Sequence, residues 1–311
     1  MPTVFAATLL ATMLFAAPAV AHEDPDFQIE EVTKHLDSDP ANASLYLRRG
    51  QLYRTKSQWP AALADFETAR RLDPTLAVVD LVVAETLLDA GDTALALAAA
   101  DRFLVSSPSN SGGHIVRARI LLAQGANLEA AAAFSRGIAI AKAREESQPD
   151  NYLARARAIA GAGDAHLDDA IASLDEGLKD LHNAIALELL AIELETRAKK
   201  WDAALSRIAR IEKDARRKET WMARRGDVLA AAGRNEDARR EYQAALAAID
   251  KLPPNTRSVR ATTGLAESLR SRIAALGPQG AAPGSRGAAP PIRPALSASS
   301  NSKTQVSGGK P

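Results

Sequence analysis

Side chains that commonly carry out chemistry are few in this chain and lie far apart. It has no cysteine, and its five histidines are His22, His35, His114, His166 and His182. The lack of cysteine excludes disulfides, thiolate metal sites and cysteine nucleophiles. No two histidines are three or four positions apart and no His-Glu-x-x-His occurs, so the spacing does not fit a catalytic zinc site on a helix. We therefore predict no catalytic residues, no bound metal and no cofactor.

One histidine has an alternative interpretation. If the chain is cleaved after Ala21, His22 becomes the first residue, and its amine and imidazole could together chelate copper. Such a site would need a second histidine brought nearby by the fold. The interpretation that we favour is a solvated, polar start of the mature chain.

Phosphate binding, serine nucleophiles and nucleic-acid binding are also disfavoured. No Gly-x-Ser-x-Gly is present, and the glycines within 161–164 follow a helical pattern rather than a strand, which indicates a turn between helices. The net charge of +1 is low for a protein that binds nucleic acid. Four arginine doublets alternate with acids and are interpreted as solvated helix faces, with an anionic ligand as the less favoured alternative. They are Arg48/Arg49, Arg216/Arg217, Arg224/Arg225 and Arg239/Arg240. The sequence thus predicts a protein that is not an enzyme.

Residues 1–21 have the pattern of a secretory signal peptide. Residues 4–21 carry no charge and end in Ala19-Val20-Ala21, which fits the small-x-small rule of signal peptidase, although no Lys or Arg precedes them. The alternative is an uncleaved membrane anchor, because this apolar stretch is just long enough to span a bilayer. We predict cleavage after Ala21 and export to the periplasm or out of the cell.

The elements that would position a binding site are predicted to be helices. Aromatic residues make up only 4% of a chain rich in alanine, and this composition favours an all-α fold. From Ala43 onward, small, aromatic and proline residues follow a fixed spacing over two amphipathic helices. They are Tyr46, Gly50, Tyr53, Ala62, Phe66, Ala69 and Pro74. This pattern resembles the tetratricopeptide repeat (TPR), a helix-turn-helix unit of 34 residues with these residue types at these positions.

The spacing recurs through residue 252. We predict repeats 1–3 in 43–144, an insert at 145–150 and repeats 4–6 in 151–252, with the first helix of repeat 4 about two residues early. Small residues allow the two helices of each unit to approach closely. Glycines at 91, 125 and 233 are expected where a first helix must end in a left-handed turn.

Both ends of the repeats fit a solenoid. Residues 22–42 contain a helix pattern that would cap the first repeat, and residues 256–276 a pattern that would cap the last. Residues 277–311 consist mainly of Pro, Gly, Ala and Ser, with four basic residues and no acid, and are predicted to be a disordered tail.

The resemblance to the TPR family implies a right-handed α-solenoid whose first helices line a concave groove. In such proteins the groove holds an extended peptide or a helix of a partner. The resemblance places these residues at groove positions: Leu47, Gln51, Arg54, Leu81, Glu85, Leu88, Ile115, Arg119, Leu122, Leu153, Arg157, Leu189, Glu193, Ala223 and Asp227. The alternative for each aliphatic member is packing against the neighbouring first helix.

One ligand class of the family is disfavoured. Family members that bind the carboxyl-terminal peptides of chaperones present Lys and Asn where this chain has Leu47 and Gln51. The function predicted is a scaffold or adaptor that binds another protein in the cell envelope. The alternative is an assembly factor whose basic tail contacts an anionic envelope surface.

Overall fold

A computed structural model describes residues 24–181 and 184–277 of the chain. These residues form fifteen α-helices and no strand. The helices are α1 Pro25–Ser38, α2 Ala43–Thr55, α3 Trp59–Leu72, α4 Val78–Asp89, α5 Thr93–Ser106, α6 Ser111–Ala123, α7 Asn127–Lys142, α8 Pro149–Gly161, α9 Leu167–Asp180, α10 Ile185–Arg197, α11 Trp201–Asp214, α12 Glu219–Ala231, α13 Asn235–Asp250, α14 Pro254–Arg257 and α15 Arg260–Ala275.

The helices are arranged as a solenoid of paired helices. From α2 to α13 they form six successive pairs, and the second helix of each pair packs on the first helix of the next. Helix α1 covers one end by packing on α2, and α15 covers the other end by packing on α13. The predicted all-α solenoid with a capping helix at each end is therefore confirmed. The predicted signal peptide and almost all of the predicted tail lie outside the described residues, and no helix in the described part is long and apolar enough to cross a membrane.

First helices end in a left-handed turn at the expected position. Gly91, Gly125 and Gly233 have φ angles of 89°, 76° and 75°. The same position of repeats 1 and 5 holds Ser57 and Lys199, each with φ of 57°. In each of these five turns, the next residue donates its backbone N–H to a carbonyl five residues earlier, as in a Schellman cap.

The close approach of paired helices depends on residues without a side chain. A Cβ atom on Gly50 of α2 would lie 2.5 Å from the ring of Phe66 and 3.1 Å from the carbonyl oxygen of Ala62, both on α3. In repeat 6, a Cβ atom on Gly226 would overlap the ring of Tyr242. The glycine therefore makes room for the aromatic residue in both repeats, and Phe66 and Tyr242 are buried.

Repeat 4 departs from the others in the register of its first helix. Helix α8 begins at Pro149, so Pro149 and Asp150, which the sequence places in the insert, belong to the helix. Tyr152 then takes the aromatic position of the repeat and is fully buried. A 3-10 turn, Asp164–His166, takes up the two extra residues before α9. The turn interpretation of 161–164 therefore holds, with Gly163 at φ 129°.

Repeat 5 has a buried cluster of charged side chains beside its apolar core. Glu195 of α10 occupies a position where the other repeats have Leu, Ile or Tyr, and Glu188 occupies one where repeats 1, 4 and 6 have Tyr or Met. The side chains of Glu188 and Glu195 are only 14% and 4% exposed. Arg207 of α11 contacts both carboxylates, at 2.8 Å and 2.7 Å, and also contacts Asp175 of α9 at 2.9 Å. Burial alone would lower the pKa of Arg207, but its hydrogen bonds to Glu195 and Glu188 outweigh burial and raise it.

The interpretation of the four arginine doublets as solvated faces is wrong for one member of each. The members that are buried or half-buried are Arg49, Arg217, Arg225 and Arg239. Arg49 pairs with Asp65, and Arg225 pairs with Glu212. Arg217 pairs with Glu219 and donates a hydrogen bond to Thr262. The fourth, Arg239, donates to the carbonyl oxygens of Ile273 and Gly277. The partner members, Arg48, Arg216, Arg224 and Arg240, are exposed. For the three doublets on helices, helical periodicity explains the difference, since adjacent residues on a helix point about 100° apart. Arg216 and Arg217 lie in the loop between α11 and α12.

Candidate functional site

The predicted groove has a floor of half-buried aliphatic side chains. Six predicted groove residues on α2, α4, α6 and α10 are of this kind: Leu47, Leu81, Leu88, Ile115, Leu122 and Leu189. All of these except Leu189 also pack against the cores of their repeats. The packing alternative therefore applies to these five side chains. Each also keeps part of its surface accessible, and its role in a groove stays a prediction.

Ile115 contributes more to the core than to the surface. Its Cδ1 atom lies 2.7 Å from where a Cβ on Gly137 of α7 would stand. Ile115 thus fills the space left by a glycine on the second helix of its own repeat. A charged residue at this position would disturb folding as well as the groove.

Two predicted groove residues are almost fully buried. Leu153 is 7% exposed and Ala223 is 3% exposed. Leu153 belongs to the core shared by repeats 3 and 4, and Ala223 to the core of repeat 6. For these two residues the structure matches the packing alternative.

Four polar groove residues are exposed and unpaired. Gln51, Arg119, Arg157 and Glu193 occupy the same repeat position on α2, α6, α8 and α10, and all four are exposed. None of them has a side-chain hydrogen bond or an ion pair with another residue of the described ranges 24–181 and 184–277. Their polar groups are therefore available to a ligand.

At the amino-terminal end, the groove charges neutralise one another. Arg54 of α2 reaches across to α4, where its Nη1 atom lies 2.5 Å from Glu85 and its Nη2 atom 2.8 Å from Asp89. These contacts join repeats 1 and 2. They also leave this end of the groove without an uncompensated arginine.

At the carboxyl-terminal end, the capping helix binds the predicted groove residue Asp227. Asp227 of α12 accepts hydrogen bonds from Arg272 of α15 at 2.8 Å and from the hydroxyl of Tyr242 at 2.9 Å. Burial raises the pKa of Asp227, although Arg272 and Tyr242 oppose the rise. Asp227 is therefore committed to holding the capping helix.

Two surface depressions lie beside the second helices of the solenoid. One, of about 480 Å³, is between α11 and α13, and the other, of about 600 Å³, is between α5 and α7. Arg225 in the first is paired with Glu212, and Arg117 in the second is paired with Asp101. Arg117 and Arg225 are thus neutralised, in contrast to Arg119 and Arg157. Arg136, which also lines the second depression, is exposed on α7.

The histidines and the other acids do not form a metal centre in the described residues. No group of three or more His, Asp or Glu side chains there is placed to hold a metal ion. His114 is buried and its Nε2 atom lies 2.9 Å from the carbonyl oxygen of Pro108. His22 and His182 lie outside the described residues, so the copper alternative for His22 stays a prediction.

Comparison with known proteins agrees with this architecture. A family model described as a tetratricopeptide repeat-like domain matches residues 151–261, and a second, described as a tetratricopeptide repeat, matches residues 84–146. Together the two matches span more than half of the chain. The chain is therefore a member of the tetratricopeptide-repeat family. No curated protein sequence matches it.

Solved structures of similar shape are also TPR proteins. The carboxyl-terminal part of a TPR repeat-containing protein from Cytophaga hutchinsonii is 12% identical, with 75% of this chain and 96% of that chain covered and a TM-score of 0.53. A TPR protein from Parabacteroides merdae is 15% identical, covering 81% and 92%, with a TM-score of 0.48. YrrB, described as a TPR protein with an unusual peptide-binding site, is 14% identical, covering 78% and 99%, with a TM-score of 0.39. At 12% identity, the likeness to the Cytophaga hutchinsonii protein concerns the fold alone.

Proposed function

We propose that this protein is a non-enzymatic scaffold or adaptor of the cell envelope that binds a peptide or helix of another protein in its concave groove. TPR proteins in general serve as interaction scaffolds, and this chain shares their fold. The observation that carries the proposal is the row formed by Gln51, Arg119, Arg157 and Glu193. These side chains share one repeat position and are exposed without partners, above a floor of half-exposed leucines.

The contrast with the rest of the groove supports a binding role. Arg54 and Asp227, at its two ends, are fully engaged with other side chains. Between them, the central first helices combine apolar surface with free charges. This combination suits a partner segment, because apolar contact supplies affinity and charges supply orientation.

The location in the envelope is part of the proposal and is supported by the sequence of residues 1–21. The uncharged stretch and Ala19-Val20-Ala21 favour export. The amino-terminal sequence of the protein purified from the periplasmic fraction tests this. We expect it to begin at His22, whereas an intact residue 1–21 segment in a membrane fraction would support the uncleaved anchor instead.

Cysteine cross-linking tests the groove directly, because the chain has no cysteine of its own. We would place a single cysteine at the predicted groove residues Gln51 or Glu193, or at Ala123, which lies one helical turn from Arg119. All three are exposed on first helices. Matched controls carry the cysteine at Ala172 of α9 or Ala244 of α13, exposed on second helices. Each variant is labelled with a photoactivatable cross-linker in an envelope extract.

We expect one discrete cross-linked product from the three groove variants and none from the two controls. A product formed equally from the controls would place the partner elsewhere and overturn the groove proposal. This design avoids replacing Leu47, Leu81 or Ile115 with Asp, since those side chains also support the core.

A second candidate function involves the tail. Residues 278–311 carry Arg286, Arg293, Lys303 and Lys310 and no acid. Such a segment is attracted to anionic lipid surfaces. In this candidate the solenoid is held near the envelope by the tail while the groove remains free.

A further inference from the structure

We propose that the centre of the groove selects an acidic segment, with Arg119 and Arg157 as the groups that bind its carboxylates. The inference rests on the proposed function and specifies the chemistry of the partner. It is argued from the position, exposure and surroundings of these two arginines.

Arg119 and Arg157 occupy equivalent positions on successive first helices. Helices α6 and α8 each have thirteen residues, and the two arginines are the ninth residue of each. Both are exposed. Neither has an ion pair or hydrogen bond to another side chain in the described part of the chain.

The helices that carry these arginines supply no acid to neutralise them. On a helix, neighbours three and four positions away are the ones within reach. For Arg119 they are Ile115, Val116, Leu122 and Ala123. For Arg157 they are Leu153, Ala154, Ala160 and Gly161. All eight are apolar, so each guanidinium keeps its donors free.

Arg119 and Arg157 form a cationic patch, and the groove positions of the flanking repeats carry no free positive charge. On one side, Glu85 holds the same repeat position but is paired with Arg54 at 2.5 Å. On the other side, Glu193 holds that position with an exposed carboxylate. The uncompensated positive charge of the groove is thus confined to repeats 3 and 4.

The chemistry of the patch favours carboxylates. A guanidinium offers planar, paired donors that match a carboxylate, and charge-assisted hydrogen bonds of this kind are stronger than neutral ones. An extended segment with Asp or Glu residues therefore fits this surface by charge.

Selection from a randomised peptide library tests the inference without knowledge of the partner. The full chain is immobilised and peptides of about twelve random residues are selected on it at low ionic strength, where charge contacts are least screened. The same selection is made with Arg119→Gln/Arg157→Gln. The matched control is Arg71→Gln/Arg136→Gln, in which two exposed arginines of the second helices α3 and α7 are replaced.

We expect peptides enriched in Asp and Glu from the unmodified chain and the control, and no such enrichment from Arg119→Gln/Arg157→Gln. The best acidic peptide should bind that variant about tenfold more weakly, and should bind the unmodified chain more weakly as salt is added. Circular dichroism and thermal unfolding show whether the variants are folded.

The outcomes separate the two proposals. Selection of neutral or basic peptides, or equal binding of acidic peptides by the folded Arg119→Gln/Arg157→Gln variant, overturns the acidic preference and leaves peptide binding standing. Recovery of no peptide by the unmodified chain overturns both the preference and the proposed groove function.

Discussion

Gly50 of α2 lies against the ring of Phe66 of α3, so closely that a Cβ on Gly50 would stand 2.5 Å from that ring. Replacing Gly50 with Ala should therefore destabilise the protein by about 1–3 kcal/mol through overpacking, although alanine favours helices. Urea unfolding followed by circular dichroism measures this.

Gly264 of α15 gives the matched control for that substitution. It is exposed, and a Cβ there would meet no atom within 4 Å. Gly264→Ala should stabilise the helix by about 0.5–1 kcal/mol, because only the backbone propensity changes. Equal effects of the two substitutions would show that the crossing of α2 and α3 tolerates a larger residue.

Ser57 and Lys199 occupy the left-handed position that glycine holds in repeats 2, 3 and 6. A left-handed conformation costs a residue with a Cβ about 1–2 kcal/mol. Ser57→Gly and Lys199→Gly should each raise the midpoint of thermal unfolding, with additive effects because the sites are far apart. Ser57→Ala and Lys199→Ala, which keep a Cβ, should give no gain, and a similar gain from them would refute the backbone explanation.

The buried Arg207 should be essential to repeat 5. Arg207→Met leaves the buried Glu195 without its partner and Glu188 with Arg210 alone. Loss of one member of a buried ion cluster costs about 3–5 kcal/mol. Arg210 also contacts Glu188 but is 63% exposed. Arg210→Met should therefore cost less than about 1 kcal/mol. Equal shifts of the unfolding midpoint in Arg207→Met and Arg210→Met would contradict the central role of Arg207 in the buried charged cluster.

An apolar replacement of the same cluster should restore stability. The triple variant Glu188→Leu, Glu195→Leu, Arg207→Leu removes all three buried charges together. Apolar residues of similar volume are often as stable as a buried ion cluster. We expect the triple variant to unfold at a higher urea concentration than Arg207→Met. If the triple variant unfolds at a lower urea concentration, the apolar residues do not replace the ion cluster.

Asp180 should make the protein sensitive to acid. The hydrogen bond from Lys142 and, after it, that from the hydroxyl of Tyr152 lower the pKa of Asp180 below its ordinary value of 3.8, in spite of burial. The contribution of ionised Asp180 to the free energy of unfolding is fully present above pH 3.8. It is lost as the pH falls through the lowered pKa. Asp180→Asn should thus lower the stability at about pH 7, and the difference from the unmodified chain should shrink towards about pH 2. A difference in urea midpoint that does not change with pH would contradict this.

The tail can be removed without disturbing the solenoid. The deletion should begin at residue 278, because the carbonyl oxygen of Gly277 accepts a hydrogen bond from Arg239. We expect unchanged thermal unfolding and weaker co-sedimentation with phosphatidylglycerol vesicles, since the deleted residues carry the four basic side chains. Equal co-sedimentation of the two proteins would eliminate the second candidate function.

Much of the local architecture follows from residue types. The glycines at 91, 125 and 233 predict left-handed turns, because no other residue adopts that conformation as readily. The close approach of α2 and α3 at Gly50 and Ala62 follows from the same repeat pattern. These features could be predicted because each depends on residues within one repeat.

The state of the groove could not be predicted in the same way. Arg54, Arg119 and Arg157 look alike in the sequence, yet only Arg54 is neutralised, by Glu85 and Asp89 of the next repeat. The hydrogen bond from Arg272 to Asp227 joins residues that are 45 positions apart in the chain. Such contacts depend on the rotation between neighbouring repeats, which the spacing of signature residues does not specify.

The sequence by itself thus determined the repeat and the order of its helices, because these depend on periodicity and on backbone preferences. The positions that face a groove stay a prediction of the TPR resemblance. The tertiary structure alone decided which charges are neutralised, how Glu188 and Glu195 are accommodated in a core, and which arginines remain free. The physical reason is that ion pairing and burial are set by distances between residues that are remote in the chain.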